Sequence, residues 1–510
     1  MHDNLRVDLF VTLLMIAAGV SMTVKWVKLP YSIALVIVGL LIGLFDLLPK
    51  ISMTPDLILL VCLPALLFEA SWNIHLDELK ASWKPVAAFA TFGVLISMVV
   101  VGLILHYFVS VPLGPAFLLG AIISATDPIS VVALFRHLGI DKRLIVILEG
   151  ESLFNDGTAV VLFKLILTAV LAGSAISIPS TFASFIVVVI GGAAVGCALG
   201  FVSSKLTSFF DDHLLEITLT TILAYGSYLL SEHLQVSPVI AVVCAGIVMG
   251  NYGSRTSMSP TTRLAVNSFW EYAAFVVNSL VFLMIGLQIK LSLLSEYIMP
   301  IVITIVAVIL ARMLGVYGLS ACLSNSRCLL PWKWRHLLVW GGLRGALCMA
   351  LALSLPHEFP QRELIIVVTF GVVLFTLLVP GLTMEPLVRV LQISADKSFA
   401  TYQRLKAQLM VNILALELLE RKQALHTISD MTYKYLEERL RLEQRELRQS
   451  IEMLHLTDDS IQKIDQARAS CEIREFQKDQ LAQLVKTGGL SGEAAHEIAI
   501  QLDQEYFSND

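Results

Sequence analysis

The stretch GESLFNDGTAVV (150–161) places Glu151, Ser152, Asn155 and Asp156 within six residues, inside a run that is otherwise apolar. At 100° per residue, Ser152 and Asp156 fall one turn apart on one helix face, and Glu151 and Asn155 do the same on another. Glu151 and Asp156 stand about 140° apart round the helix. The two carboxylates therefore need different partners. Asp156 has a hydroxyl one turn below it and an amide beside it, a set of hard oxygen ligands that suits Na⁺, Li⁺ or H⁺. Removal from water disfavours a bare carboxylate. A carboxylate that holds either a proton or a metal cation, but not both, is by itself an exchange device.

Two further stretches bear on that site. In ATDPIS, Thr126-Asp127-Pro128 interrupts an apolar helix, because proline lacks the N–H donor and clashes with the preceding turn. The freed oxygens of Thr126 and the carboxylate of Asp127 extend the oxygen set around Asp156 into a cation cage. In GGLRGA, three glycines surround Arg344. Arg344 and Arg312 (in VILARMLGVY) are both candidates for the counter-charge of Glu151, and a buried pair of that kind fixes two helices together. Arg344, at a helix break, also suits the carbonyl end of a half-helix or Asp127. Glu69, in LPALLFEASW, is open between reaching the site and resting at the cytoplasmic interface. Lys164 reads as a side chain snorkelling outward, and Glu271 as an interface charge.

These residues sit in a chain of 510 residues that is 56% hydrophobic and 15% charged. A soluble domain carries about 25% charge. Apolar runs of membrane-spanning length recur from the start, which makes this an all-α polytopic membrane protein. A carboxylate at the bilayer centre costs about 2.5–3.5 kcal/mol on insertion scales, so function is the default reading of such a residue. The first run, Val7 to Val24, lacks a small-residue cleavage site and reads as a retained helix. The seven Cys show no metal-ligand spacing and read as buried thiols. No cofactor is expected, and no nucleophile elbow or His/Asp/Glu metal set suggests an enzyme. Residues 391–510 hold 15 of the 36 Lys and Arg and 20 of the 41 Asp and Glu. The membrane part (1–390) is thus neutral, and the tail (391–510) is soluble and mildly acidic. No basic face calls for nucleic acid.

About thirteen spans are expected, near 7–24, 29–48, 55–71, 84–108, 113–136, 143–172, 179–204, 214–233, 237–250, 267–288, 297–320, 335–355 and 364–388. Alternate loops carry thirteen Lys and Arg on one side against four on the other, which places the N-terminus outside and the tail in the cytoplasm. Thirteen divides as six, a linker and six, so the halves are inverted repeats. The breaks at 126–128 and 341–345 both fall in the fifth span of their half, the place where such folds bind their substrate. The tail reads as long amphipathic helices, with Glu437 and Glu438 as partners for Arg441 and a break at Gly488-Gly489 before a last short helix.

The segments SATDPISVVALF, LEGESLFNDGTAVV, LPALLFEASW, FVVNSLVFLMIGLQI and VWGGLRGALCMALALSLP, five separate motifs that occur along the chain in family order, resemble the NhaP/NHE branch of monovalent cation:proton antiporters, bacterial type. The resemblance covers roughly 10–390. It implies an NhaA/NhaP-like fold, and a homodimer in the cell membrane with a mobile core (spans four to six and eleven to thirteen) and a dimerisation domain. It implies elevator-like exchange of Na⁺, with Li⁺ and K⁺ as further cations, for H⁺ across the lipid bilayer, serving pH and sodium homeostasis. It implies that Asp156 is the cation- and proton-binding carboxylate, Asn155 its partner, Asp127 and Thr126 the unwound helix, and Ser152 a ligand hydroxyl. It draws Glu69 toward the ion site, selects Arg312 for Glu151, and makes Arg344 the charge of the second broken helix. Electrogenic relatives carry two Asp where this chain has Asn155-Asp156, so electroneutral 1:1 exchange is implied. Near Asn278, animal exchangers have an acidic residue tied to inhibitor sensitivity, so that property does not carry over.

A cation channel and a Na⁺-coupled symporter use related parts. A channel favours rings of one residue in a symmetric oligomer, whereas one Asp in a half-broken fold suits a carrier. A symporter needs a larger, aromatic-lined cavity than the Ala, Gly, Ser and Thr at the centre of this chain provide.

Overall fold

The computed structural model describes residues 4–452 apart from 28–29, 49–53, 173–177, 210–211, 255–257, 289–290, 324–329, 394–396 and 426. The described residues form helices and connecting turns, without a β-strand among them. The chain divides into two compact units, Met1–Ser394 and Ala395–Asp510.

In the first unit the helices are α1 (Asn4–Val27), α2 (Tyr31–Leu44), α3 (Leu63–Asn73), α4 (Leu76–Ala81), α5 (Trp83–Ala88), α6 (Val94–Val109), α7 (Leu113–Ser124), α8 (Ile129–Leu138) and α9 (Lys142–Leu171). They continue as α10 (Ile178–Thr207), α11 (His213–His233), α12 (Pro238–Val248), α13 (Pro260–Gln288), α14 (Leu291–Glu296), α15 (Ile298–Cys322), α16 (Trp332–Trp340), α17 (Ala346–Leu353) and α18 (Arg362–Val390). π-Helical turns at Leu57–Cys62, Phe89–Gly93 and Met249–Gly253 extend α3, α6 and α12. The last of these lengthens the ninth predicted span, which is short by sequence alone.

Among the described residues, eight stretches are long and apolar enough to cross a membrane by length and composition, and four shorter apolar helices accompany them. Their outer faces carry Phe108, Met22, Val187 and Phe201, all more than half exposed. That much exposed apolar surface would drive association in water and suits a hydrocarbon surround. Between helices, small residues replace bulk. A Cβ on Gly39 of α2 would lie 2.3 Å from the Leu283 carbonyl oxygen of α13, and one on Gly286 would lie 2.3 Å from that of Val36. Backbones approach this closely only where side chains are absent, as is common between helices in lipid.

Local signals set the helix ends around the centre. Asp141 caps α9 by accepting from the Arg143 amide at 2.8 Å. Gly139, at φ 69°, closes α8 in the left-handed conformation that terminates helices.

The expectation of buried thiols needs correction. Cys62 and Cys348 are buried, Cys197 and Cys244 are partly so, and Cys322 is exposed. An apolar run has an outward face as well as an inward one, and only packing assigns them. Cys328 and Cys471 lie outside the described residues.

In the second unit, α19 (Lys397–Ala424) and α20 (Asp430–Glu452) pair as a hairpin. Asn412 Nδ2 donates to Glu443 Oε2 at 3.2 Å across it. Arg441 takes Glu437, one turn away, as its partner at 2.8 Å. Residues 488–489, the predicted glycine break, lie outside the described residues.

Candidate functional site

Both predicted interruptions are present. Residues 125–128 leave helical conformation between α7 and α8, and 341–345 do so between α16 and α17. The two gaps meet. The Asp127 amide donates to the Leu343 carbonyl at 2.8 Å, and Cys348 Sγ approaches the Ala125 carbonyl at 3.4 Å. Backbone groups orphaned by the loss of helix on one strand of the crossing are thus satisfied by the other. Gly345 permits the approach: a Cβ there would lie 2.5 Å from that of Asp127.

Helix α9 holds the first gap open. Ser152 Oγ donates to the Thr126 carbonyl oxygen. Asn155 Nδ2 donates to Thr126 Oγ1 at 2.6 Å, and its Oδ1 accepts from the Thr126 amide at 3.4 Å. Asn155 is 1% exposed and is not among the residues lining the cavity, so its amide serves the unwound chain and stands back from the open space.

The cavity beside the crossing has a volume of about 290 Å³. Glu69, Thr126, Asp127, Ser152 and Asp156 all line it. Asp127 Oδ1 accepts from the Ile129 amide at 3.1 Å, at the start of α8, where the helix dipole also favours an acidic group. Glu69 accepts from Asn73 Nδ2 at 2.8 Å. Asp156 receives no hydrogen bond from the described residues, and the residue, part-buried, lines the cavity.

Glu151 points elsewhere. It is 1% exposed and makes a two-pronged ion pair with Arg312 of α15, through Nη1 to Oε1 and Nη2 to Oε2, the second at 3.0 Å. Arg312 Nε also donates to the Leu338 carbonyl of α16 at 3.1 Å. One arginine therefore ties the helix of Asp156 to the half-helix before the second break. Arg344 is 1% exposed, its amide donates to Thr376 Oγ1 at 3.1 Å, and its Nε and Nη1 make no hydrogen bond among the described residues. It follows the C-terminus of α16, where a cation is favoured. Lys164 is exposed and lies 4.0 Å from Glu232 of α11.

The sequence of the transmembrane sodium/hydrogen exchangers matches residues 10–390 as a family. The chain belongs to the sodium/hydrogen exchanger family. Membership makes the first unit a multi-pass membrane transporter. A low-affinity Na⁺/H⁺ antiporter of Synechocystis, NhaS1, is 40% identical over 91% of this chain and 89% of its own. The Na⁺/H⁺ antiporter ApNhaP of Aphanothece halophytica is 46% identical over 75% of this chain and 73% of its own. The solved sodium proton antiporter MjNhaP1 of Methanocaldococcus jannaschii shares the fold, with a TM-score of 0.65 at 23% identity over 77% of this chain and 99% of that one.

Glu149 escaped the sequence reading. It lines the same cavity, paired with Arg136 at 2.5 Å. The signal was present: Glu149, Ser152 and Asp156 follow the i, i+3, i+7 spacing of one helix stripe.

Proposed function

We propose that the protein exchanges a monovalent cation for H⁺ across the cell membrane by alternating access, one for one, with Na⁺ the main cation and Li⁺ and K⁺ further candidates. The observation that carries this reading is the cavity at the crossed helix breaks, lined by Asp156, Asp127, Thr126, Ser152 and Glu69. It lies in a chain whose relatives are Na⁺/H⁺ antiporters.

The Thr126 and Ser152 oxygens and the two Asp carboxylates are hard donors suited to a small alkali cation. Asp127 commits one oxygen to the Ile129 amide, whereas Asp156 has no such commitment. Asp156 is then the carboxylate that alternates between proton and cation. Asn155, neutral and bound to Thr126, adds no charge to the cycle. Alternation of one site between two exclusive occupants gives exchange without a leak, provided the site faces one side at a time.

The lysine and arginine bias of the loops supports a cytoplasmic side for the cavity mouth and for the tail. Thirteen crossings in two inverted halves are supported by the eight long and four shorter apolar helices together with the broken pair α16–α17. The pairing of one break with the other is the arrangement expected of inverted-repeat carriers.

The test is proton efflux from everted vesicles on addition of NaCl, LiCl or KCl, with Asp156→Asn as comparison. Cation-driven efflux is expected from the native chain and not from the variant; equal rates would overturn the assignment of Asp156. Clamping the membrane potential with valinomycin and K⁺ should leave transport driven by ΔpH unchanged if exchange is 1:1.

A further inference from the structure

We propose that Arg136 and Glu149 form a charged collar at the cavity mouth that sets the apparent affinity for the incoming cation. This rests on the exchange reading above.

Glu149, Ser152 and Asp156 share one stripe of α9, and all three line the cavity. Seven residues at 1.5 Å each separate Glu149 from Asp156 by about 10 Å along the helix. Glu149 lies toward the α8–α9 turn, with 23% of its side chain exposed, and Arg136 beside it is 61% exposed. Asp156 lies at the level of the breaks. A cation moving from the turn end toward Asp156 therefore passes the collar first.

The charges there are of both signs. Glu69 and Arg136 line the cavity with Glu149, and His75 and Glu78 act on Glu149 from α4 and its approach. Glu271 acts on Glu69 from α13. Arg136 is a fixed positive charge, adverse to any cation. Glu149 Oε1, 2.5 Å from Arg136 Nη2, cancels that charge and keeps the mouth from repelling the substrate. Charges at a rim act chiefly on association rate and on its salt dependence. A tie that merely fastened α8 to α9 would act on both partners alike.

This difference gives opposite signs for the two single variants. Glu149→Gln leaves Arg136 unopposed and should raise the KM for Na⁺ about three- to tenfold at low ionic strength. Arg136→Gln leaves Glu149 unopposed and should lower KM about two- to fivefold. The double variant should return to within about twofold of the native value, and all differences should shrink as choline chloride is added, because salt screens exposed charges. Glu149→Asp and Arg136→Lys, which keep the charges, should stay near the native KM, and they carry the test where a neutral variant fails to assemble. Two single variants that both raise KM or both lose maximal rate, without salt dependence, would overturn the collar and leave a fastening role. Absence of cation-driven efflux in the native chain would instead overturn the exchange reading itself.

Discussion

The Asp127 amide donates to the Leu343 carbonyl at 2.8 Å, joining the two interrupted helices at the points where each has lost its own ladder. Proline 128 and the glycines of 341–345 come from sequence positions more than 200 residues apart. They produce two gaps that satisfy one another. The carboxylate of Asp127 is held at the cavity by the same residue whose backbone locks the crossing.

Closing the space at that crossing should damage binding. In Gly345→Ala the new Cβ would meet Asp127 Cβ at 2.5 Å and Oδ2 at 2.6 Å. Overpacking a tight site costs about 1–3 kcal/mol, so cation affinity should fall roughly ten- to hundredfold if Asp127 gives way. The KM for Na⁺ in everted vesicles reads this. A native KM would show that Asp127 can shift without loss.

The Glu151–Arg312 pair should matter for stability more than for the ion. Arg312→Leu leaves a carboxylate that is 1% exposed without its partner. Removing one member of a buried pair costs about 3–5 kcal/mol, and replacing both by apolar residues costs less. Thermal unfolding of the detergent-purified protein should show a larger drop for Arg312→Leu than for the double variant Glu151→Leu/Arg312→Leu. The reverse order would mean that the pair is not the fastening.

If one carboxylate alternates between proton and cation, acid should act as a competitor. In the acid range the apparent KM for Na⁺ should rise about tenfold per pH unit, following mass action at a single site, while the maximal rate at saturating Na⁺ changes less. Initial rates measured over a pH series on both sides of the vesicle membrane check this. A maximal rate that falls with constant KM would point to separate sites.

The second unit is divided from the first, beginning at Ala395. A chain ending at Ser394 should therefore still insert and exchange cations for protons. Loss of the protein from the membrane on truncation would show that the tail is needed for assembly.

Local chemistry made much of this legible from the sequence. Apolar run length marks membrane helices because hydrocarbon has a fixed thickness, and proline and glycine mark breaks because they act on their own backbone. Helical phase separated Glu151 from Asp156, since 140° round one helix is a property of that helix alone. The partners were another matter. Residue types and spacing alone left Arg312 and Arg344 equal as counter-charges to Glu151, because which of two distant arginines arrives depends on how α15 and α16 pack against α9; the family resemblance selected Arg312, and the structure pairs it with Glu151. Asn155 stood beside Asp156 by spacing, yet Thr126 draws its amide away from the cavity. Glu149 lay on the right stripe, but only the closure of α8 against α9 brought Arg136 to it. The sequence by itself determined the membrane class, the breaks and the carboxylate that needs a partner. Tertiary packing decided the pairing of break with break and of charge with charge, because those contacts join segments whose separation along the chain carries no information about their distance in space.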